Sequence, residues 1–422
     1  MTTPTRRRIP QTHSLAVGIV VSGAIFAGCD APVSDMPRVR QYVGEYPVAV
    51  WYYVKGYVPD DAIQARETMN GDFAHIRSLG FNTIVADGIQ DARRVALLDV
   101  ADAQSLQVVL PHERTAAYVR NGRSDPIVRC GPETVVQENV LLVGDHPALY
   151  MHYVYDAPSL DVANRLAEMV EIYGRLDPAH SVFVALSRDP VMLSHRANLP
   201  VLLWDNFPIA EGAAPGELLN RRYETPVRHP EALADIRART PGRKHWAMVQ
   251  ALAIPERLRM PTAVEWDLIY LTALAAGFVD GVVFYRYHTD QSPDSGLADG
   301  NHGMPPGRAA AVRRMTKRAG TWGPMLVGAK PAKDVVQTEN GRLRGVFLIG
   351  PKRQFLLVFN PAVATFGYDT VRVPATVQGR RIVRAVNVSE PKRYLPVGGG
   401  AEIPIELRLR PAEGDLFELF SP

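Results

Sequence analysis

The feature that most constrains this chain is an alternation repeated eight times between Pro47 and His288, in which a short apolar run precedes a longer amphipathic segment. The runs are "PVAVWYYV", "FNTIVADG", "LQVVLPHE", "ALYMHYVYD", "HSVFVALS", "LPVLLWDNFP", "KHWAMVQAL" and "VDGVVFYRYH". Short runs rich in Val, Phe and Tyr read as buried strands, and the segments between them carry helix signals. In "PSLDVANRLAEMVEIYGRLD", Leu160, Ala163, Leu166, Ala167 and Val170 fall at helical spacing. Thr262 and Glu265 in "TAVE" form a capping box ahead of an apolar helix. Eight such βα units predict a closed (β/α)8 TIM barrel in preference to an open doubly wound sheet.

Beyond about Pro324 the period shortens to two, in "RLRGVFLIG", "QFLLVFNP", "DTVRVPATV", "RIVRAVNV", "AEIPIELRLRP" and "GDLFELF". Turn residues separate these runs, so the tail reads as a small antiparallel β-sandwich. The expected division is 46–323 for the barrel and 324–422 for the sandwich.

The amino-terminal segment is of another kind. Arg6, Arg7 and Arg8 precede an apolar run from Leu15 to Phe26, so 1–28 reads as an export signal. A run of about a dozen apolar residues is too short for an ordinary membrane-spanning helix. Ala27 and Gly28 directly before Cys29 resemble a bacterial lipoprotein lipobox, with Phe26 where Leu is usual. That resemblance implies a lipidated Cys29 and a protein anchored in the cell envelope, on the periplasmic or surface side of a bacterial membrane. Residues 29–45, with Pro32 and Pro37, read as a tether. Cys130 is the one remaining cysteine, which leaves no intramolecular disulfide and no Cys-His metal cluster. The formal charge of +3 is near balance, and no Gly-rich phosphate loop or basic patch points to a nucleotide or nucleic acid.

Barrel enzymes carry their chemistry where strands end. Gathered there are Asp87, His112, Glu113, Asp156, Arg188, Asp189, Asp205, Asn206, Gln250, Tyr285, Arg286, Tyr287 and His288. Carboxylates and amides hydrogen-bond sugar hydroxyls, and aromatic faces stack on sugar rings. Trp51, Tyr52, Tyr53, Tyr153 and Trp204 add to that composition. Trp51, Tyr52 and Tyr53 alternate along one strand, so at least one of them faces away from the site. His112 has no second His at ligand spacing, so no metal is expected there, and no cofactor is implied.

From Pro47 to Pro422 the layout resembles a bacterial glycoside-hydrolase-like TIM barrel with a C-terminal β-sandwich. The carrying segments are "HPALYMHYVYDAPS", similar to a fourth-strand Tyr-x-x-Asp-Glu-Pro ending, "VLLWDNFP", similar to a sixth-strand Asp-x-Tyr-Pro ending, and "RMPTAVEWDLIYLTALAAGFVDGVVFYRY". The resemblance implies a fourth-strand acid/base and a seventh-strand glutamate nucleophile. This chain has Ala157 where the glutamate follows the fourth-strand aspartate, Phe207 for the sixth-strand Tyr, and Gln250 at the seventh-strand position. An amide is no nucleophile and alanine no acid, so the usual pair is missing.

Two readings follow. In the first, Asp156 is the general acid of an exported glycoside hydrolase, with Asp205 as the leading second carboxylate and Glu113 or Asp87 as alternatives. Trp51, Tyr53, Asp87, His112, Tyr153, Trp204, Asn206, Gln250, Tyr285 and Arg286 would then hold the carbohydrate. In the second, the barrel binds a glycan without cutting it, or serves as a structural envelope protein. Asp156 also has a plain alternative as a helix cap, Glu113 as a partner of Arg114 or Arg93, and Glu265 as a capping residue. A monomer is expected in each case.

Overall fold

The computed structural model describes residues 46–422 apart from 129, 221–226, 290–294, 335, 391–393 and 397–401. The expected export signal, Cys29 and the tether lie outside the described residues. Strands β1 (Val48–Tyr53), β2 (Thr83–Asp87), β3 (Gln107–Pro111), β4 (Leu149–Asp156), β5 (Ser181–Leu186), β6 (Val201–Trp204), β7 (Lys244–Gln250) and β8 (Gly281–Tyr285) close a parallel barrel in chain order. Val50 of β1 pairs with Ile84 on one side and Phe284 on the other, which closes the ring.

Around the strands lie α1 (Ala62–Ser78), α2 (Arg94–Ala103), α3 (Glu113–Asn121), α4 (Pro132–Val143), α5 (Ala163–Leu176), α6 (Pro190–Arg196), α7 (His229–Arg239), α8 (Ala263–Ala275) and α9 (Arg308–Leu326). Among the described residues no helix is long and apolar enough to cross a membrane. The connection from β3 to β4 holds two helices, α3 and α4. At the start of α8, Thr262 Oγ1 accepts from the Glu265 N–H while the Glu265 carboxylate accepts from the Thr262 N–H, so the predicted capping box is present.

Strand alternation divides the core in two. Trp51, Val85, Val109, Met151, Phe183 and Trp246 fill the barrel interior, while Val50, Ile84, Val108, Val249 and Phe284 face the helices. At the amino-terminal end the Trp246 ring leaves no space for a side chain at its neighbour on β8, Gly281. A Cβ on Gly281 would sit 2.6 Å from that ring and 2.8 Å from Pro47.

The tail forms a six-stranded antiparallel sheet that includes Arg344–Ile349, Gln354–Phe359, Arg384–Asn387 and Gly414–Phe420, and a three-stranded sheet that includes Gly367–Pro374 and Glu402–Leu409. Glu402–Leu409 alternates exposed and buried residue by residue, as period two requires. Phe347, Leu356, Val371, Ile405 and Phe417 form the core between the sheets. The other face of the larger sheet joins the barrel's helical layer, with Phe355, Leu357 and Leu416 in one cluster with Leu268 and Leu271 of α8. That double covering explains why α8 is buried almost all round.

Candidate active site

Strand β4 delivers the fourth-strand acid through an irregularity. Its register against β5 shifts between Tyr153 and Tyr155. Tyr153 packs inside the barrel, whereas Val154 and Tyr155 both pack into the outer cluster. Two successive outward residues return the next one to the inner phase, so the bulge turns Asp156 toward the barrel mouth. Without it, alternation from Tyr153 would have put Asp156 outside with His152 and Val154.

Strand β6 continues its alternation past its last ladder position. Asp205 N–H still donates to Leu186 O at 2.8 Å. Trp204 faces outward and stacks on His229 with centroids 5.7 Å apart, and Asn206 Nδ2 lies 2.6 Å from His229 Nδ1. Asp205 and Phe207 take the opposite phase, and Phe207 meets Tyr285 with centroids 5.1 Å apart. Trp204 and Asn206, predicted to hold sugar, are therefore buried beneath α7, and Phe207 occupies the mouth instead. Strict alternation across 204–207 carries that signal.

The mouth is built around tyrosines. Tyr53 and Tyr285 hydroxyls are 2.6 Å apart, joining β1 to β8 across their closing seam. Trp51 sits below, its Nε1–H donating to Asp87 Oδ2 at 3.2 Å, with Tyr153 edge-on at 5.5 Å and Tyr285 at 5.2 Å. Tyr52 points the other way and donates to Asp72. The Arg286 guanidinium lies 5.4 Å from the Tyr53 ring centroid, with Nε–H donating to Ser295 O.

Three aspartates act on this cluster. Burial holds the Tyr53 hydroxyl well above its ordinary pKa, reinforced by Tyr285 and by the charges of Asp87 and Asp156. Burial raises Tyr153 as well, with Asp156 and Asp87 pushing the same way. Tyr285 is pushed up to about 12, by burial first and then by Asp205 and Asp156, against the opposing hydrogen bond from Tyr53. Asp87 is itself raised by burial, which outweighs the Trp51 and Tyr53 hydrogen bonds. A phenol this hard to ionise is a hydrogen-bond donor at neutral pH, and a carboxyl raised by burial holds its proton more readily than an exposed one.

Other predicted positions lie elsewhere. Gln250 is fully buried, with Oε1 accepting from Ile209 N–H at 2.9 Å and Nε2 donating to Ile209 O at 3.0 Å and Arg259 O at 2.8 Å. Its amide ties the loop after β6 to the loop after β7. His112 is buried behind β3, between Thr115 Oγ1 at 2.8 Å and Asp91 at 3.4 Å. Glu113 is exposed in the first turn of α3, with its N–H on Asp91. Its suggested partners are engaged elsewhere, Arg114 with Glu138 and Arg93 with Asp60. Glu265 is a capping residue that also accepts from Gly216 N–H and pairs with Arg259 at 2.6 Å. Cys130 is exposed, with Arg114 Nη2 at 3.0 Å.

The architecture has counterparts among solved structures. A protein described as a glycoside hydrolase superposes with a TM-score of 0.61 at 10% identity, over 91% of this chain and 96% of that one. A glycoside hydrolase family 5 protein from Bacteroides vulgatus gives 0.57 at 11% identity, over 91% and 93%. A noncanonic maltogenic alpha-amylase from Thermotoga neapolitana gives 0.54 at 10% identity, over 89% and 99%. At these identities the likeness is one of fold. No protein-family model matches the chain, and no curated protein matches its sequence.

Proposed function

We propose that this protein is a glycoside hydrolase acting on an oligo- or polysaccharide at the carboxyl-end mouth of its barrel. The observation that carries the reading is that the carboxylates of Asp156 and Asp205 both act electrostatically on Tyr285, whose hydroxyl lies 2.6 Å from that of Tyr53 and whose ring packs on Trp51. Donor phenols, acceptor carboxylates and aromatic faces are the groups that recognise sugar hydroxyls and ring faces. Asp156 is assigned as general acid and Asp205 as the base that activates water. The inverting route suits this chain because it needs two carboxyl groups about 6.5–9.5 Å apart and no seventh-strand nucleophile. Asp87 is the competitor for the acid role, since burial raises its pKa.

Glycan binding without cleavage is the second reading, favoured by the locked Gln250 amide and by Ala157. The leader, the Cys29 lipid anchor, an envelope location and a monomeric state complete the proposal from sequence. The deciding experiment measures reducing-end release from a broad glycan panel by the full-length protein, beside Asp156→Asn, Asp205→Asn and Asp87→Asn. Loss of about 100-fold or more in the first two variants establishes the acid pair. The same loss in Asp87→Asn with Asp156→Asn active moves the acid to β2. No release by any form, with calorimetric glycan binding retained, establishes the binding protein.

A further inference from the structure

Away from the mouth, on the helix-facing side of β4, three potential metal ligands meet. His152 is buried at 1% exposure, and its Nε2 lies 2.8 Å from Asp177 Oδ2. His180 Nδ1 lies 2.9 Å from the same carboxylate oxygen. Asp177 follows the last residue of α5, and the His180 N–H returns to Asp177 O at 3.2 Å, so a tight turn presents both side chains to β4. One ligand atom from each residue lies within 4.8 Å of the other two. We propose that His152, Asp177 and His180 bind a zinc ion that ties β4 to the α5–β5 turn.

Two imidazoles and one carboxylate form a donor set suited to borderline transition ions, and zinc takes them at about 2.0–2.2 Å. The carboxyl end of α5 adds partial negative charge on the same side. Of the three residues, His180 borders a groove of about 610 Å3 that is also lined by Ser181, Glu171, Asn198 and Arg243, so the cluster is approached from the His180 side. Spacing in sequence hid the set, because 24 residues separate His152 from the Asp177–His180 turn and strand pairing alone joins them.

An aspartate accepting from two imidazole N–H groups without a metal places the same atoms alike, and the arrangement supplies a way to separate the two. Zinc on His152 Nε2 puts the ring proton on Nδ1, which faces Asn139 Nδ2 at 3.4 Å, donor against donor. Asn139→Asp removes that conflict and builds a carboxylate behind the ligating ring, so it should tighten zinc binding by about tenfold or more. The test uses full-length protein stripped with chelator and titrated with Zn2+ and Co2+. One equivalent is expected, with cobalt bands that lack thiolate charge transfer. Asp177→Asn keeps the size and one acceptor oxygen while removing the charge, and His180→Ala alters a side chain at the groove; both should weaken binding by about 10- to 100-fold. Absence of saturable binding, a thiolate band, or affinity unmoved by all three changes would overturn the site.

Discussion

At the residue scale, two buried amide or acid side chains that look chemical in the sequence are structural. The three carbonyls around Gln250 Nε2 demand a donor. We predict that Gln250→Glu creates no nucleophile and destabilises the fold by about 3 kcal/mol, because a buried carboxylate would then face carbonyl oxygens; urea unfolding beside the release assay checks both parts. Burial would raise the Glu265 carboxyl, but Arg259 and the Gly216 and Thr262 N–H groups bring it from 4.5 down to about 2. A folded-state pKa below the unfolded one contributes stability that is present above about 4.5 and disappears as pH falls toward 2. Wild type should therefore lose stability across that window more steeply than Glu265→Gln, as acid titrations followed by circular dichroism will show.

At the element scale, β4 and β8 set the two ends of the barrel. The β4 bulge decides which side chain reaches the mouth, so exchanging neighbours as Tyr155→Asp/Asp156→Tyr should abolish release or binding as fully as Asp156→Asn, with folding retained by circular dichroism. If the exchanged protein keeps its activity, the bulge does not aim the acid. On β8, Gly281→Ala forces a methyl against the Trp246 ring. A loss of about 1–3 kcal/mol is expected from overpacking, measured as a lower urea midpoint with unchanged slope.

At the scale of the whole molecule, the barrel and the sheets share apolar surface through α8. Phe355, Leu357 and Leu416 lie in the same cluster as Leu268 and Leu271. Calorimetry should thus record one cooperative transition, and truncation before Lys330 should leave a barrel that aggregates because that face is uncovered. Two separable transitions, or a soluble truncated barrel of native stability, would contradict the shared core.

Much of this architecture was legible in sequence order. Eight apolar runs in alternation specified the barrel, period-two runs the sheets, and "TAVE" the capped helix, because each signal is local and a strand or helix face repeats every few residues. Asp87, Asp156, Asp205, Tyr53 and Tyr285 could be placed near one end because strand ends are local too. What only the tertiary structure decided is the side of the wall each residue faces. A one-residue bulge in β4 reverses the phase at Asp156, and the backbone of Ile209, 41 residues away in the chain, occupies both ends of the Gln250 amide. Those outcomes depend on hydrogen-bond register between strands and on loops far apart in the chain, and no run of neighbouring residues encodes either.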